Sequence, residues 1–350
     1  MKACVLHAVN DLRFEEVPTP EPAAGEVLLR VAACGVCGSD IPRIFEKGTY
    51  HFPTIPGHEF AGVVAAAGRG ADGLRVGKRC AVFPLMPCRR CAMCAVGAYA
   101  QCANYDYLGS RSDGAFAEYV CVPEWNLLPV PDAVSLEAAA MVEPAAVAAH
   151  ALRQASVDVG DSVLVFGAGP IGLLLAQWAE AWGAADVLLV DIDGERLRFA
   201  REQGVQHLFD PRTGDVAEWA RTRTGHGPDV VIEGSGSSAA FEQCMECARP
   251  FGRVVLMGNP TGEMRLSQQG YWAILRKELR VSGTWNSCYT DLPRNEWQLA
   301  LDFMALGKLR PEALVTHRCT LETLHAHLVM LRGRTAFANK VLCVNPALSE

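Results

Sequence analysis

Hydrophobic and polar positions follow two regimes along this chain, and the change falls near Ala145–Asp161. Upstream, short β-type runs at Val27–Val31, Gly62–Ala66, Lys78–Val82 and Ala115–Val122 are separated by turn residues, which predicts short strands joined by irregular loops. No long amphipathic helical period precedes about residue 135. Downstream, buried strand-like runs alternate with helical periods. Val163–Phe166 leads into a helix from Ile171 to about Trp182, Val187–Val190 into Glu195–Gln203, and Val230–Ile232 into Ala239–Ala248. Val254–Met257 and Leu279–Thr284 read as the last strands of that series. Strand–helix alternation predicts βαβ units around a parallel sheet. Beyond Asn286 come helical stretches at Asn295–Leu306 and Leu321–Arg332 and a strand at Lys340–Val344. This tail is short for an independent domain, so it is expected to pack on the first lobe. The reading is therefore residues 1–148 with 287–350 as one domain, and 149–286 inserted as the other.

Composition changes that picture little. Of 350 residues, half are hydrophobic and a fifth charged, which gives material for two cores and argues against extended disorder. The net charge is −7 and no basic run is present, so no nucleic-acid footprint is expected. Ser162–Ala179 is uncharged, but its Gly167, Gly169, Pro170 and Gly172 mark a strand, turn and helix instead of a membrane span. Met1-Lys2 leads into a mixed segment without a signal-like apolar stretch, so a soluble cytoplasmic protein is expected.

Gly167-Ala-Gly169-Pro170-Ile171-Gly172 is a G-x-G-x-x-G motif set between a predicted strand and a predicted helix, the context its mechanism requires. The first glycine makes the turn, the second lets backbone approach a pyrophosphate, and the third lets helix and strand pack closely. Asp191 lies 19 residues past Gly172, where a carboxylate binds an adenosine ribose and repels a 2′-phosphate. NAD is expected over NADP, with Arg196 nearby as the feature that weakens the preference.

Fourteen cysteines are many for this length. Cys88, Cys91, Cys94 and Cys102 fall within 15 residues, a donor set suited to a closed, structural tetrahedral zinc, with an iron–sulfur cluster as the competing reading. Arg89 and Arg90 would offset the charge of four thiolates. Cys244 and Cys247 share a helix face with no second ligand pair, and read as buried small hydrophobes. Cys37-Gly-Ser39-Asp40 and Gly57-His58-Glu59 supply donor types found in catalytic zinc sites, which keep an open position.

The ordered set of Cys37–Asp40, Gly57–Glu59, the four spaced cysteines, Glu143-Pro144, Gly167–Gly172 and Asp191 resembles the zinc-dependent medium-chain dehydrogenase/reductase family over nearly the whole chain. The resemblance implies a doubly wound Rossmann sheet inserted into a β-rich GroES-like catalytic domain, two zinc ions per chain and NAD. Cys37, His58 and Glu143 would hold the catalytic zinc, with Glu59 a fourth ligand or an exchanging partner. Asp40 would orient His58. Ser39 would take the proton from the substrate hydroxyl and pass it outward. Many relatives carry a histidine slightly beyond the Ser39 position, where this chain has Pro42 and Arg43, so water, cofactor ribose or His51 would complete the relay.

Cys37–Phe45, Pro84–Cys88, Tyr99–Gly114 and Arg276–Leu279 are most similar to the branch of the family that oxidises a phosphorylated hexitol, galactitol 1-phosphate, to tagatose 6-phosphate. Arg43 and Arg111 are the candidate phosphate-binding residues, because a guanidinium fork matches phosphate oxygens. Other readings are a sorbitol-, iditol- or threonine-type dehydrogenase with an unphosphorylated substrate, and a non-catalytic NAD- and zinc-binding scaffold. The family implies a homodimer or homotetramer paired through the strand around Leu279–Thr284, and an active site between the two domains.

Overall fold

The computed structural model describes residues 1–260 and 262–348. Two compact units emerge, Met1–Pro144 with Cys288–Glu350, and Ala145–Ser287. Helix Val142–Gln154 runs through the first boundary, where the hydrophobic pattern begins to change.

The first unit is built on a seven-stranded sheet in the order Val315–Cys319, Lys340–Val344, Glu26–Gly35, Glu59–Ala67, Arg79–Val82, Leu127–Pro129, with Tyr119–Pro123 also paired to Glu26–Gly35. Glu26–Gly35 alternates at first, burying Val27, Leu29 and Val31, and is buried on both faces from Val31 onward. Its register sets Gly35 opposite both Glu59 and Leu342. That register brings the loop after Gly35, the first residue of Glu59–Ala67 and the last strand of the chain to one end of the sheet. Leu6, Leu29, Ile44, Phe60 and Phe116 fill the core beneath.

The second unit is a six-stranded, all-parallel sheet in the order His207–Phe209, Asp186–Val190, Ser162–Phe166, Val230–Glu233, Arg253–Leu256, Arg280–Gly283. The chain order reverses between Ser162–Phe166 and Val230–Glu233, the switch point at which doubly wound sheets bind ligands. Ser162–Phe166 is buried at every position, as a central parallel strand must be. Helix Pro170–Ala181 packs on it through Leu173, Leu174, Leu175 and Trp178, and the Trp178 indole donates to the Ala145 carbonyl at 2.9 Å.

Several elements depart from the pattern-based expectation. The strand expected at Ala115–Val122 forms only at Tyr119–Pro123, because Ala115 and Phe116 bond to the backbone of Gly57 and Pro56 instead. Strands Lys2–Ala8, Asp11–Glu16 and His207–Phe209 and helices Val216–Thr224 and Gln268–Lys277 are additional to the elements the pattern predicts. Gln268–Lys277 fully buries only Gly270, packs Ala273 and Ile274 against the core of its unit, and leaves Tyr271, Trp272 and Leu275 exposed. None of the described helices is long and apolar enough to cross a membrane.

Candidate active site and metal centres

In the first unit, the backbone between Cys37 and Asp40 closes on itself. The Asp40 N–H donates to the Cys37 carbonyl at 3.0 Å, and the Cys37 N–H donates to Asp40 Oδ2 at 2.9 Å. This turn presents the half-buried Cys37 thiol at the end of Glu26–Gly35. On the facing strand, His58 precedes Glu59–Ala67 and follows Gly57, whose φ is +96°. A Cβ at Gly57 would lie 2.9 Å from Cys34 Sγ and from the Phe116 backbone nitrogen, so only glycine lets the chain turn there.

These elements gather donor atoms of Cys37, His58 and Glu59 within 4.8 Å of one another. His58 and Glu59 are buried, and His58 Nδ1 has no hydrogen-bond partner. Asp40 Oδ1 lies 3.5 Å from that nitrogen, too long to bond it well, and instead accepts from Arg43 Nη1 at 2.7 Å. Burial works against the Asp40 charge, yet His58, Arg43 and the Cys37 N–H hold its carboxyl below its ordinary value. Glu143 stands outside the close group of three. Its Oε1 accepts from the buried Tyr107 hydroxyl at 3.3 Å, and burial, with the Glu59 charge adding, pushes its carboxyl up to about 7. A thiol, an imidazole with an unpartnered buried nitrogen and a buried carboxyl, all within 4.8 Å, are the donor types a divalent zinc takes.

Two residues here escaped sequence reasoning. Lys340, fully buried at the start of the last strand, donates to Glu59 and, at 2.9 Å, to the Val36 carbonyl. Tyr107 packs its ring 5.7 Å from that of His58. Lys340 arrives through sheet register, and Tyr107, though inside the Tyr99–Gly114 string, through the return of its loop. His51 is held away from a relay role, since its Nδ1 and Nε2 face the carbonyls of Pro53 at 3.0 Å and Arg111 at 2.9 Å. Arg111 stacks over Tyr50 and Tyr105, 4.1 and 4.3 Å from the ring centroids. Ser39 and Arg43 lie in the wall of a cavity of about 300 Å³ that extends to Tyr50.

The sulfurs of Cys88, Cys91, Cys94 and Cys102 form a second group within 4.8 Å of one another. Backbone N–H groups of Cys94 and Ala103 hold the Cys91 thiol down to about 6, so a thiolate is favoured before any metal arrives. Arg89 lies over the Trp125 ring at 4.0 Å, tying the lobe to an aromatic cluster in which Phe83 stacks on Tyr289 at 4.2 Å. Cys244 and Cys247, by contrast, are fully buried on helix Ser238–Cys247, and burial pushes both thiols far up.

In the second unit, Gly167 has φ +112° and follows strand Ser162–Phe166 directly. A Cβ at Gly172 would sit 1.8 Å from the Gly167 carbonyl oxygen, whereas one at Gly169 would meet nothing within 4 Å. The third glycine thus serves packing, and the second borders open space at the N-terminus of helix Pro170–Ala181, with Pro170 and Ile171 in its first turn. Asp191, at the end of the next strand, accepts the N–H groups of Ala168 at 2.8 Å and Asp193 at 2.9 Å. Arg196 Nη1 lies 3.5 Å from its carboxylate.

Residues 23–132 match the alcohol dehydrogenase GroES-like domain, and residues 170–305 match the zinc-binding dehydrogenase domain. Galactitol 1-phosphate 5-dehydrogenase of Escherichia coli K12 is 36% identical over 346 residues, covering 98% of this chain and all of that protein. Sorbitol dehydrogenase of Bacillus subtilis is 32% identical over 329 residues, 92% of this chain and 91% of the other. The crystal structure of the Escherichia coli galactitol-1-phosphate dehydrogenase superposes with a TM-score of 0.92 at 35% identity, covering 99% and 100% of the two chains. An Escherichia coli CFT073 alcohol dehydrogenase, RspB, complexed with NADH, superposes at 0.90 with 31% identity and covers 99% of each chain.

Proposed function

This chain belongs to the zinc-binding alcohol dehydrogenase family, and we propose that within it the protein oxidises a phosphorylated polyol, galactitol 1-phosphate, to tagatose 6-phosphate with NAD. The observation that carries the reading is the gathering of Cys37, His58 and Glu59 beside a cavity walled by Ser39. The near full-length likeness to a galactitol 1-phosphate 5-dehydrogenase supports the substrate.

Cys37 and His58, with Glu143 or Glu59, would hold a zinc ion that polarises the alcohol oxygen, and NAD bound at Gly167–Gly172 and Asp191 would accept the hydride. Ser39 receives the hydroxyl proton and passes it to water along the cavity as the hydride leaves carbon. Asp40 fixes the Cys37 turn and faces His58, and Arg43 holds Asp40 in place. Tyr107 orients Glu143, while Lys340 restrains Glu59. Cys88, Cys91, Cys94 and Cys102 would hold a second, structural zinc that closes a lobe lacking a core of its own.

The protein is proposed to be cytoplasmic and to pair with a second copy through strand Arg280–Gly283. That strand is the exposed edge of its sheet, and Trp272, Leu275 and Trp285 near it are exposed.

Initial rates of NAD reduction with galactitol 1-phosphate, galactitol, sorbitol and L-threonine test the substrate assignment. A kcat/KM for the phosphorylated polyol about a hundredfold above the rest, roughly 2.7 kcal/mol of discrimination, is expected. Equal rates on neutral polyols would keep the chemistry and favour the second reading, an unphosphorylated substrate, to which the existing commitments of Arg43 to Asp40 and Arg111 to Tyr50 and Tyr105 lend some weight.

A further inference from the structure

We propose that Lys47 is the residue that selects the phosphate end of the substrate; the inference rests on the polyol-phosphate reading above. The cavity in the first unit begins at Ser39, the proposed proton acceptor, and its wall continues through Arg43 and Lys47 to Tyr50. An alcohol reacting at the Ser39 end therefore directs the rest of its chain along a wall that carries two cations.

The cations near this cavity are not equally available. Arg43 spends Nη1 on the fully buried Asp40 carboxylate at 2.7 Å, and only 18% of its side chain is exposed. The Arg111 guanidinium lies over the Tyr50 and Tyr105 rings, and its Nη2 donates to the Tyr50 hydroxyl at 3.2 Å. Lys47 has neither an ion pair nor a side-chain hydrogen bond among the described residues. It ends the helical turn Arg43–Lys47, and Gly48, at φ +79°, then redirects the backbone so that Lys47 and Tyr50 share the cavity wall. The neighbouring Glu46 is exposed and does not line the cavity. An exposed ammonium with three donors and no partner among the described residues loses no existing interaction when it meets a phosphate dianion.

The test compares wild type, Lys47→Met and Lys47→Arg, each zinc-replete and supplied with NAD, using galactitol 1-phosphate and galactitol. Zinc content and thermal midpoint serve as folding controls. The quantity read is the ratio of the two kcat/KM values. Lys47→Met is expected to lower that ratio by about tenfold or more, mainly through KM for the phosphorylated substrate, and Lys47→Arg to retain most of it. A wild type that discriminates, with a Lys47→Met ratio within about twofold of it, overturns the role of Lys47 alone. A wild type that does not discriminate overturns the polyol-phosphate reading and this inference with it.

Discussion

Lys340 and Glu59 form a buried ion pair across 281 residues of sequence, joining the first residue of the last strand to the first residue of the strand that follows His58. Burial alone would lower the lysine's affinity for its proton, and the Glu59 charge more than reverses that. Breaking such a pair leaves one uncompensated buried charge, at a cost of about 3–5 kcal/mol. Lys340→Met is therefore expected to lose about that much stability in urea unfolding of chelator-treated protein. Combining it with Glu59→Gln should recover part of the loss, because the two side chains interact directly. Strictly additive losses would show that the pair contributes nothing as a pair.

The two cysteine groups make opposite predictions from similar local spacing. Cys91→Ser should remove one zinc per chain by elemental analysis and lower the thermal midpoint, because the lobe around it has no core to replace the metal. Cys244→Ala should leave zinc content unchanged, since Cys244 is fully buried on its helix among apolar neighbours. Loss of zinc from the Cys244 variant would reverse the assignment.

The contrast shows where sequence was sufficient. The four cysteines, the glycine turn and the alternating strands of the second unit are local patterns, each fixed by the stereochemistry of a few successive residues. Residues placed by tertiary register were not legible. Lys340 opens an ordinary apolar strand and Tyr107 lies in the Tyr99–Gly114 string without any mark of its own, until the sheet and the returning loop set them against Glu59 and Glu143. Arg43 was visible as a cation near Cys37, but its bond to Asp40 depends on the one-turn geometry of Asp40–Arg43. Lys47 became visible only once the cavity wall set it beside Arg43 with no partner among the described residues.

Asp191 has one duty in the structure and a second in the proposed NAD site, which separates its substitutions. Its oxygens hold the N–H groups of Ala168 and Asp193, and in the proposed NAD site its charge would also meet the adenosine ribose. Asp191→Asn retains acceptor capacity at one oxygen and removes the charge. It should raise KM for NAD and shift the NADP/NAD ratio of kcat/KM upward by about tenfold, near 1.4 kcal/mol. An unchanged ratio would show that the carboxylate does not face the 2′ position.

The second unit also carries an acid-sensitive contact. Asp229 accepts from Ser162 N at 2.8 Å, Ser162 Oγ at 2.7 Å and Arg249 Nε at 2.6 Å. Burial opposes its charge, but the Ser162 and Arg249 bonds outweigh burial and hold the carboxyl below its ordinary 3.8. A value lower in the folded than in the unfolded chain contributes stability above the unfolded value, and loses it as pH falls through the folded one. The stability gap between wild type and Asp229→Asn should therefore be constant between about pH 7 and pH 5 and close below about pH 4. Denaturant unfolding at several pH values measures the gap, and a gap that widens on acidification would give the wrong sign.

A zinc ion held at Cys37 and His58 is what is proposed to make this chain a dehydrogenase. The most direct test measures zinc per chain and NADH formation from galactitol 1-phosphate for wild type and Cys37→Ser in parallel. The account predicts about two zinc ions per wild-type chain and about one in the variant, with turnover falling roughly a thousandfold or more. A Cys37→Ser protein that keeps both its zinc and its turnover would contradict it.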